Sequence, residues 1–315
     1  SRKVSLIRAF QQAVADTGGG QVIAVDVSPL AAALYLADAH FLVPRSEDET
    51  FLPSLVDLCQ REEVGLVIPT RDEELPVFAK HRESLEEVGT RVMVPSVEAV
   101  EIAQDKRRFA EFASANGFAT PALLSTPDPE AYPVFVRPRR GKGSRQTRVA
   151  HSPSELQHAL TALGGDGVVQ EYVDAPEFTI DLFADFDGRV ISVVPRQRLV
   201  VFGGESFVGR TTKNPVIRDQ AIGLAEKLGL IGHNTIQCFL RNEEVLFIEV
   251  NPRFGGGAHL GFAAGAPTPH FLLRLLHGER LEPRLDDWKD GLHMLRYTED
   301  LFLEQDALAR RESGA

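Results

Sequence analysis

Residues 234–257 read NTIQCFLRNEEVLFIEVNPRFGGG, and few local folds accommodate them. Two apolar segments, 234–241 and 244–251, flank the polar turn RNEE, so the pair reads as a β-hairpin. Strand side chains alternate between faces. Glu249 and Asn251 therefore point one way, and Ile248 and Val250 the other. Gln237 on the partner strand can share the first face, so that three oxygen-bearing side chains converge. Carboxylate and amide oxygens suit Mg²⁺, which completes its shell with phosphates and water. The plain alternative is a solvated hairpin face. Gly255, Gly256 and Gly257 then allow close backbone approach to an anion and leave amides open to it. Arg253 offers a bidentate donor for phosphate or carboxylate. A flexible turn and a surface cation are the plain alternatives for these four.

The first hundred residues alternate in type. Helical patterns at 4–16, 28–37, 48–61 and 71–87 are interleaved with strand patterns at 21–27, 40–44, 64–70 and 91–95. This order implies a parallel sheet with crossover helices. "VIAV" within 21–27 is apolar at consecutive positions, which predicts a sheet-centre strand. Such a unit normally opens on a strand, so one is expected ahead of Ser1, beside 21–27. Helices follow at 96–104, capped by Ser96, and at 105–117, then at 152–163 and 215–230. Strands are expected at 132–138, 167–173, 177–185 and 189–200. Past about residue 280 the pattern weakens to a polar tail. The chain is α/β. Its expected units are 1–95, 96–280 (a small part about 105–170 and a large part about 171–280) and a tail 281–315.

Three further stretches carry candidate chemistry. In FVRPRRGKGSR, Arg137 ends a strand, and Lys142, Gly143, Ser144 and Arg145 form a glycine-rich loop able to fold over polyphosphate. It is not a P-loop, because G-x-x-x-x-G-K-[ST] is absent; a basic hairpin turn is an equal reading. Lys106 sits at a helix start, as an anion contact or on a solvated face. In VVQEYVDAPEF, an extended hinge of Gln170, Glu171, Tyr172 and Val173 can pair with the edge of adenine, and Glu177 can accept from ribose hydroxyls. Arg196, Arg198, Arg210 and Lys213 are candidates for an acid substrate or for phosphates, against an exposed basic loop.

These pieces, in this order, resemble the ATP-grasp superfamily over about residues 90–275. The likeness is to the ATP-binding half of the carbamoyl-phosphate synthase large subunit and to stand-alone carboxylate–amine ligases. It implies an ATP-grasp fold, two α+β subdomains gripping ATP, preceded by a Rossmann-like domain. Carried over by position, Lys106 and Arg137 hold the ATP phosphates under a mobile loop at 140–145. Backbone groups of Glu171 and Val173 read adenine, and Glu177 reads the ribose. Gln237, Glu249 and Asn251 hold Mg²⁺, as two ions. Arg253 steadies an acyl phosphate, with Arg137 as the second catalytic group. Gln170 departs from the glutamate common at that position. The implied activity is an ADP-forming C–N ligase acting on a small carboxylate and an amine, with a homodimer compatible.

Rival readings are a carbamoyl-phosphate synthase-type piece, which would need a second grasp unit, and a non-catalytic ATP-binding sensor or scaffold. An NAD domain with Asp26 at a strand end is disfavoured, because G-x-G-x-x-G is missing. Composition narrows the field further. A net charge of −11 argues against nonspecific nucleic-acid binding, and no apolar run approaches a membrane span. Two isolated cysteines, Cys59 and Cys238, and no visible signal peptide suggest the reducing cytoplasm.

Overall fold

The computed structural model describes residues 3–125, 131–141 and 146–308. Helix α1 (Val4–Asp16) leads into β1 (Ile23–Asp26) and β2 (Ala39–Leu42), which pair in parallel. Helices α2 (Phe51–Arg61), α3 (Leu75–Lys80) and α4 (Arg82–Glu86) surround a second parallel pair, β3 (Leu66–Val67) and β4 (Arg91–Val92).

Among the described strands β1 pairs with β2 alone, and Val25 is 40% exposed. One expectation for this region fails. The helix at 28–37 is only a 3-10 turn at Leu34–Leu36. Polar side chains there hold turns instead. Asp26 accepts the Ser28 N–H at 3.0 Å, and Ser28 Oγ accepts the Leu30 N–H at 3.2 Å, in competition with helical bonding. The helix expected at 71–87 exists but breaks at His81.

Helix α5 (Val97–Gln104) starts at Ser96, whose side chain accepts the Ala99 N–H, and α6 (Lys106–Ala115) starts at Asp105, which caps Arg107 and Arg108. A three-stranded sheet follows, with β5 (Val134–Pro138) between β6 (Arg148–Ala150) and β7 (Gly167–Glu171), backed by α7 (Pro153–Ala162). The large sheet is antiparallel. Its strands are β8 (Glu177–Ala184), β9 (Val190–Phe202), β10 (Glu205–Thr211), β11 (Gly232–Arg241) and β12 (Glu244–Asn251), joined by β13 (His293–Leu295). Their order is β12-β11-β8-β9-β10-β13.

Helices α5, α6 and α8 (Pro215–Leu228) cover one face of this sheet through Phe109, Ile217 and Leu224 against Ile180, Leu182 and Phe247. Helices α9 (His259–Ala264) and α10 (Thr268–Leu276), with α1, lie on the other, where Phe183, Ile191 and Phe254 meet Phe10 and Phe271. Cover on both faces explains why β8 is buried from Phe178 to Ala184, including Thr179 and Asp181. Arg210, a ligand candidate with an exposed basic loop as its alternative, lies instead on strand β10. The stretch read as a polar tail supplies the edge strand β13, which pairs Leu295 with Val208, and buries Trp288. Among the described residues no helix is long and apolar enough to cross a membrane.

Candidate active site

The three-stranded sheet and the large sheet enclose one cleft. Lys106, Arg137, Gln170, Glu171, Tyr172, Val173, Glu177, Arg198, Gln237 and Glu249 all line it. The hairpin β11–β12 places Gln237 directly opposite Glu249 and Thr235 opposite Asn251. Asn251 Nδ2 donates to Glu249 Oε1 at 3.0 Å, so the two side chains do share a face. Among the described residues no group of three His, Cys, Asp or Glu side chains could hold a metal. A cation bound here would rest on one carboxylate and two amide oxygens and take its other ligands from phosphate and water. That donor set fits Mg²⁺.

The cations are held by the main chain. Arg137, 5% exposed, donates to the Ile248 carbonyl at 3.0 Å and lies 3.8 Å from Glu249. Burial pulls its guanidinium down and Glu249 pulls it back; an arginine stays charged regardless. Lys106 donates its Nζ to the Gly141 carbonyl at 2.7 Å, and its N–H to the Arg139 carbonyl at 3.0 Å. Its ammonium is lowered by burial first and by Arg137, against Glu249, Asp72 and Asp105. The helix start that carries Lys106 is fixed by Asp105, which also takes the Arg139 Nε at 2.8 Å. Lys142, Gly143, Ser144 and Arg145 lie outside the described residues.

At the hinge, Gln170 is 2% exposed and donates to the Pro121 carbonyl at 3.1 Å. The Glu171 N–H donates to the Ala122 carbonyl at 2.9 Å, and its carboxylate takes the Ala122 N–H and Arg241. The Val173 N–H has no hydrogen-bond partner among the described residues. Tyr172 is 44% exposed. Glu177 is raised by burial, which Arg198 opposes by pairing with it.

Two family descriptions match the chain. Residues 1–93 match a PylC-like N-terminal domain, and residues 103–257 match an ATP-grasp domain. The chain carries an ATP-grasp domain. Among curated relatives, the carbamoyl phosphate synthase large chain of Rubrobacter xylanophilus is 27% identical over 222 residues, 62% of this chain and 21% of that one. The chain spans about a fifth of the length of the curated relatives it matches. Among solved structures, the biotin carboxylase domain dimer of Hydrogenobacter thermophilus 2-oxoglutarate carboxylase, in complex with MgADP, ADP and bicarbonate, superposes with a TM-score of 0.72 at 20% identity, covering 92% of this chain and 71% of that one. N5-carboxyaminoimidazole ribonucleotide synthetase from Thermus thermophilus gives 0.71 at 22% identity, covering 89% and 78%. At these identities the likeness is one of fold.

The ATP-grasp domain places the other candidates away from this cleft. Arg253 is taken bidentately by Asp72, at 2.6 and 2.8 Å, and reaches Asn251 Oδ1 at 3.4 Å. Asp72 and Asn251 line a second depression that shares Lys106, Gly141 and Glu249 with the first. Arg196 is 2% exposed and bound through both forks to Asp181, at 2.6 and 2.9 Å. His233 lies 3.6 Å from that carboxylate and stacks on Phe254 at 4.1 Å. Arg210 donates to Gln197 at 2.6 Å.

The three glycines are close to side chains. A Cβ at Gly255 would stand 2.7 Å from Thr235 Oγ1, and one at Gly257 would stand 2.7 Å from Arg196 Nη1. At Gly256 it would meet Arg296 and Glu205 at 3.3 Å. Neither depression is lined by these glycines. Sequence reasoning missed Asp72, Asp181, His233, Glu205 and Arg296. An aspartate inside the apolar run EFTIDLF was the one signal available, since a buried carboxylate needs a partner.

Proposed function

We propose that this chain is an ATP- and Mg²⁺-dependent ligase, which activates a carboxylate as an acyl phosphate and joins it to an amine, releasing ADP and phosphate. The observation that carries this reading is the shared cleft. Phosphate-type cations (Lys106, Arg137), an adenine-type hinge (170–173), a ribose-type carboxylate (Glu177) and metal-type oxygens (Gln237, Glu249) all line it. The fold and the ATP-grasp match support the same class.

A carboxylate is a poor electrophile, because its leaving group would be oxide. Phosphoryl transfer to it needs charge neutralisation and positioning more than covalent help from the protein. Mg²⁺, when bound, supplies part of that neutralisation. Arg137 supplies a fixed charge, pinned to the Ile248 carbonyl, that need not reorganise as charge develops. Lys106 adds a second charge from the helix start. Arg253, paired with Asp72 beside Asn251, would steady the acceptor end once that pair opens.

A carbamoyl-phosphate synthase-type piece, which would need a second grasp unit, is the second reading, favoured by the likeness to the curated relatives. One experiment separates the readings. ADP release is measured over a panel of carboxylic acids and bicarbonate, each with and without amines, with product masses recorded. An amide product supports the ligase. Bicarbonate-dependent ADP release without an amide product, going on to carbamoyl phosphate with ammonia when two copies supply the two phosphorylations, supports the second reading. ATP binding without acid-dependent ADP release would overturn both and leave a sensor.

A further inference from the structure

Arg198 enters the cleft from β9 and is held by three groups. Nη1 donates to Glu177 and, at 3.5 Å, to Gln237 Oε1; Nη2 donates to the Gly204 carbonyl at 2.8 Å. Its side chain is 6% exposed, and its Nε is buried with no hydrogen-bond partner among the described residues. Glu177 is the carboxylate that suits a ribose, and Gln237 is the first of the oxygens that suit the metal. A nucleotide with its metal would therefore claim two of the three groups that hold Arg198. A buried guanidinium stripped of its carboxylate is strongly unfavourable, so it must find another anion. The same cleft would then hold one, a polyphosphate, whose oxygens match the guanidinium fork.

We propose that Arg198 is a further polyphosphate-binding residue, kept in reserve on Glu177 and Gln237 until ribose and metal take those groups. The Gly204 carbonyl ties the turn between β9 and β10 to the same guanidinium, and Val201 from that hairpin also lines the cleft. The exchange thus couples nucleotide entry to the position of the hairpin. The inference rests on the nucleotide reading of the cleft, and the test keeps the two apart.

Calorimetric titration of wild type, Arg198→Met and Arg198→Lys with adenosine, Mg-ATP and inorganic tripolyphosphate reads it directly. In Arg198→Met, adenosine should bind about 3–10-fold tighter, because its ribose no longer competes with the guanidinium for Glu177. Mg-ATP and tripolyphosphate should bind about 10–100-fold weaker, the worth of a lost charge-assisted contact. Arg198→Lys keeps a point charge without the fork and should lose about 3–10-fold on ATP without weakening adenosine. If Arg198→Met does not fold by circular dichroism, the lysine variant alone carries the test. Equal losses on adenosine and ATP would make Arg198 a scaffold residue and overturn the proposal, as would unchanged ATP binding. Wild type that binds neither ATP nor adenosine would bring down the nucleotide reading itself, and this role with it.

Discussion

Arg196 and Arg198 stand two residues apart on one strand, yet they belong to different kinds of surroundings. Arg196 lies in a polar core beneath the turn 253–257, where both of its forks meet the Asp181 carboxylate, with His233 behind. The cleft cations are held more loosely: Lys106 and Arg137 lean on the carbonyls of Gly141 and Ile248, and Arg198 divides its bonds among the Glu177 carboxylate, Gln237 and the Gly204 carbonyl. A carboxylate neutralises a guanidinium. A carbonyl dipole only orients it and leaves its charge for an incoming anion. How much of the guanidinium fork a carboxylate already takes, more than residue type or depth of burial, sets how much of the charge is left to meet an anion.

The contrast breaks first if the core pair proves dispensable. Arg196→Met leaves Asp181 buried without its counter-charge and should cost about 3–5 kcal/mol in urea unfolding; a loss below about 1 kcal/mol would remove Arg196 from the structural class. The core should also fail in acid. Burial, helped by Arg296 and Arg196, lowers His259 to about 4, so below its ordinary 6.5 the unfolded chain takes up a proton that the folded chain refuses. Stability should therefore fall by roughly 2–3 kcal/mol from pH 6.5 to pH 4, allowing for the partial exposure of this ring. Burial pushes Asp181 up, but Arg196 and His233 hold it at about 2, so a second fall on the order of 2 kcal/mol follows from pH 3.8 to pH 2. Unfolding curves that superimpose from pH 6.5 to pH 4 would contradict the His259 placement.

The cleft should respond in rate and hardly in stability. Glu249→Gln keeps shape and removes one charge, so kcat should drop at least ~10²-fold with little change in unfolding. ADP release across a Mg²⁺ titration decides it, and superimposable curves would sink the metal role. The smallest effect is expected at Gly257→Ala. Its Cβ would press on Arg196 Nη1, at 2.7 Å, and should cost about 1–3 kcal/mol. In the Arg196→Met background that cost should shrink, because the clashing atom is gone; strictly additive values would show that the crowding lies elsewhere.

The hairpin was the most readable part of the chain, and the reason is geometric. Alternation fixes which of Glu249, Val250 and Asn251 share a face, and the turn RNEE fixes Gln237 against Glu249. Nothing local separates Arg196 from Arg198, since alternation sends both the same way and only the fold decides which of them meets Asp181. Arg253 is likewise unreadable. Its partner Asp72 lies 181 residues away, on the other domain. The glycines at 255–257 looked like an anion cradle because a missing side chain does not say what fills the space, and here Thr235, Arg296 and Arg196 approach it. In the N-terminal region, the pattern at 28–37 has a helical period, but Asp26 and Ser28 spend their oxygens on turns. Strand β10 and the edge strand β13 were hidden by polar residues, which an antiparallel sheet tolerates where one face is partly exposed.

One neighbour of Gln237 in the hairpin carries a chemical clock. Cys238 follows Gln237 directly, is wholly buried, and burial pushes its thiol up to about 12. Only the thiolate is alkylated, so a folded molecule is almost inert at this sulfur. Its labelling rate by a small iodoacetamide therefore counts openings of strand β11, the strand that presents Gln237. Cys59, the other free thiol, is buried among the N-terminal helices, 1% exposed, and gives an independent count for that domain. Two native thiols thus time-stamp the two halves of the molecule in a single mass spectrum, with no label engineered into either.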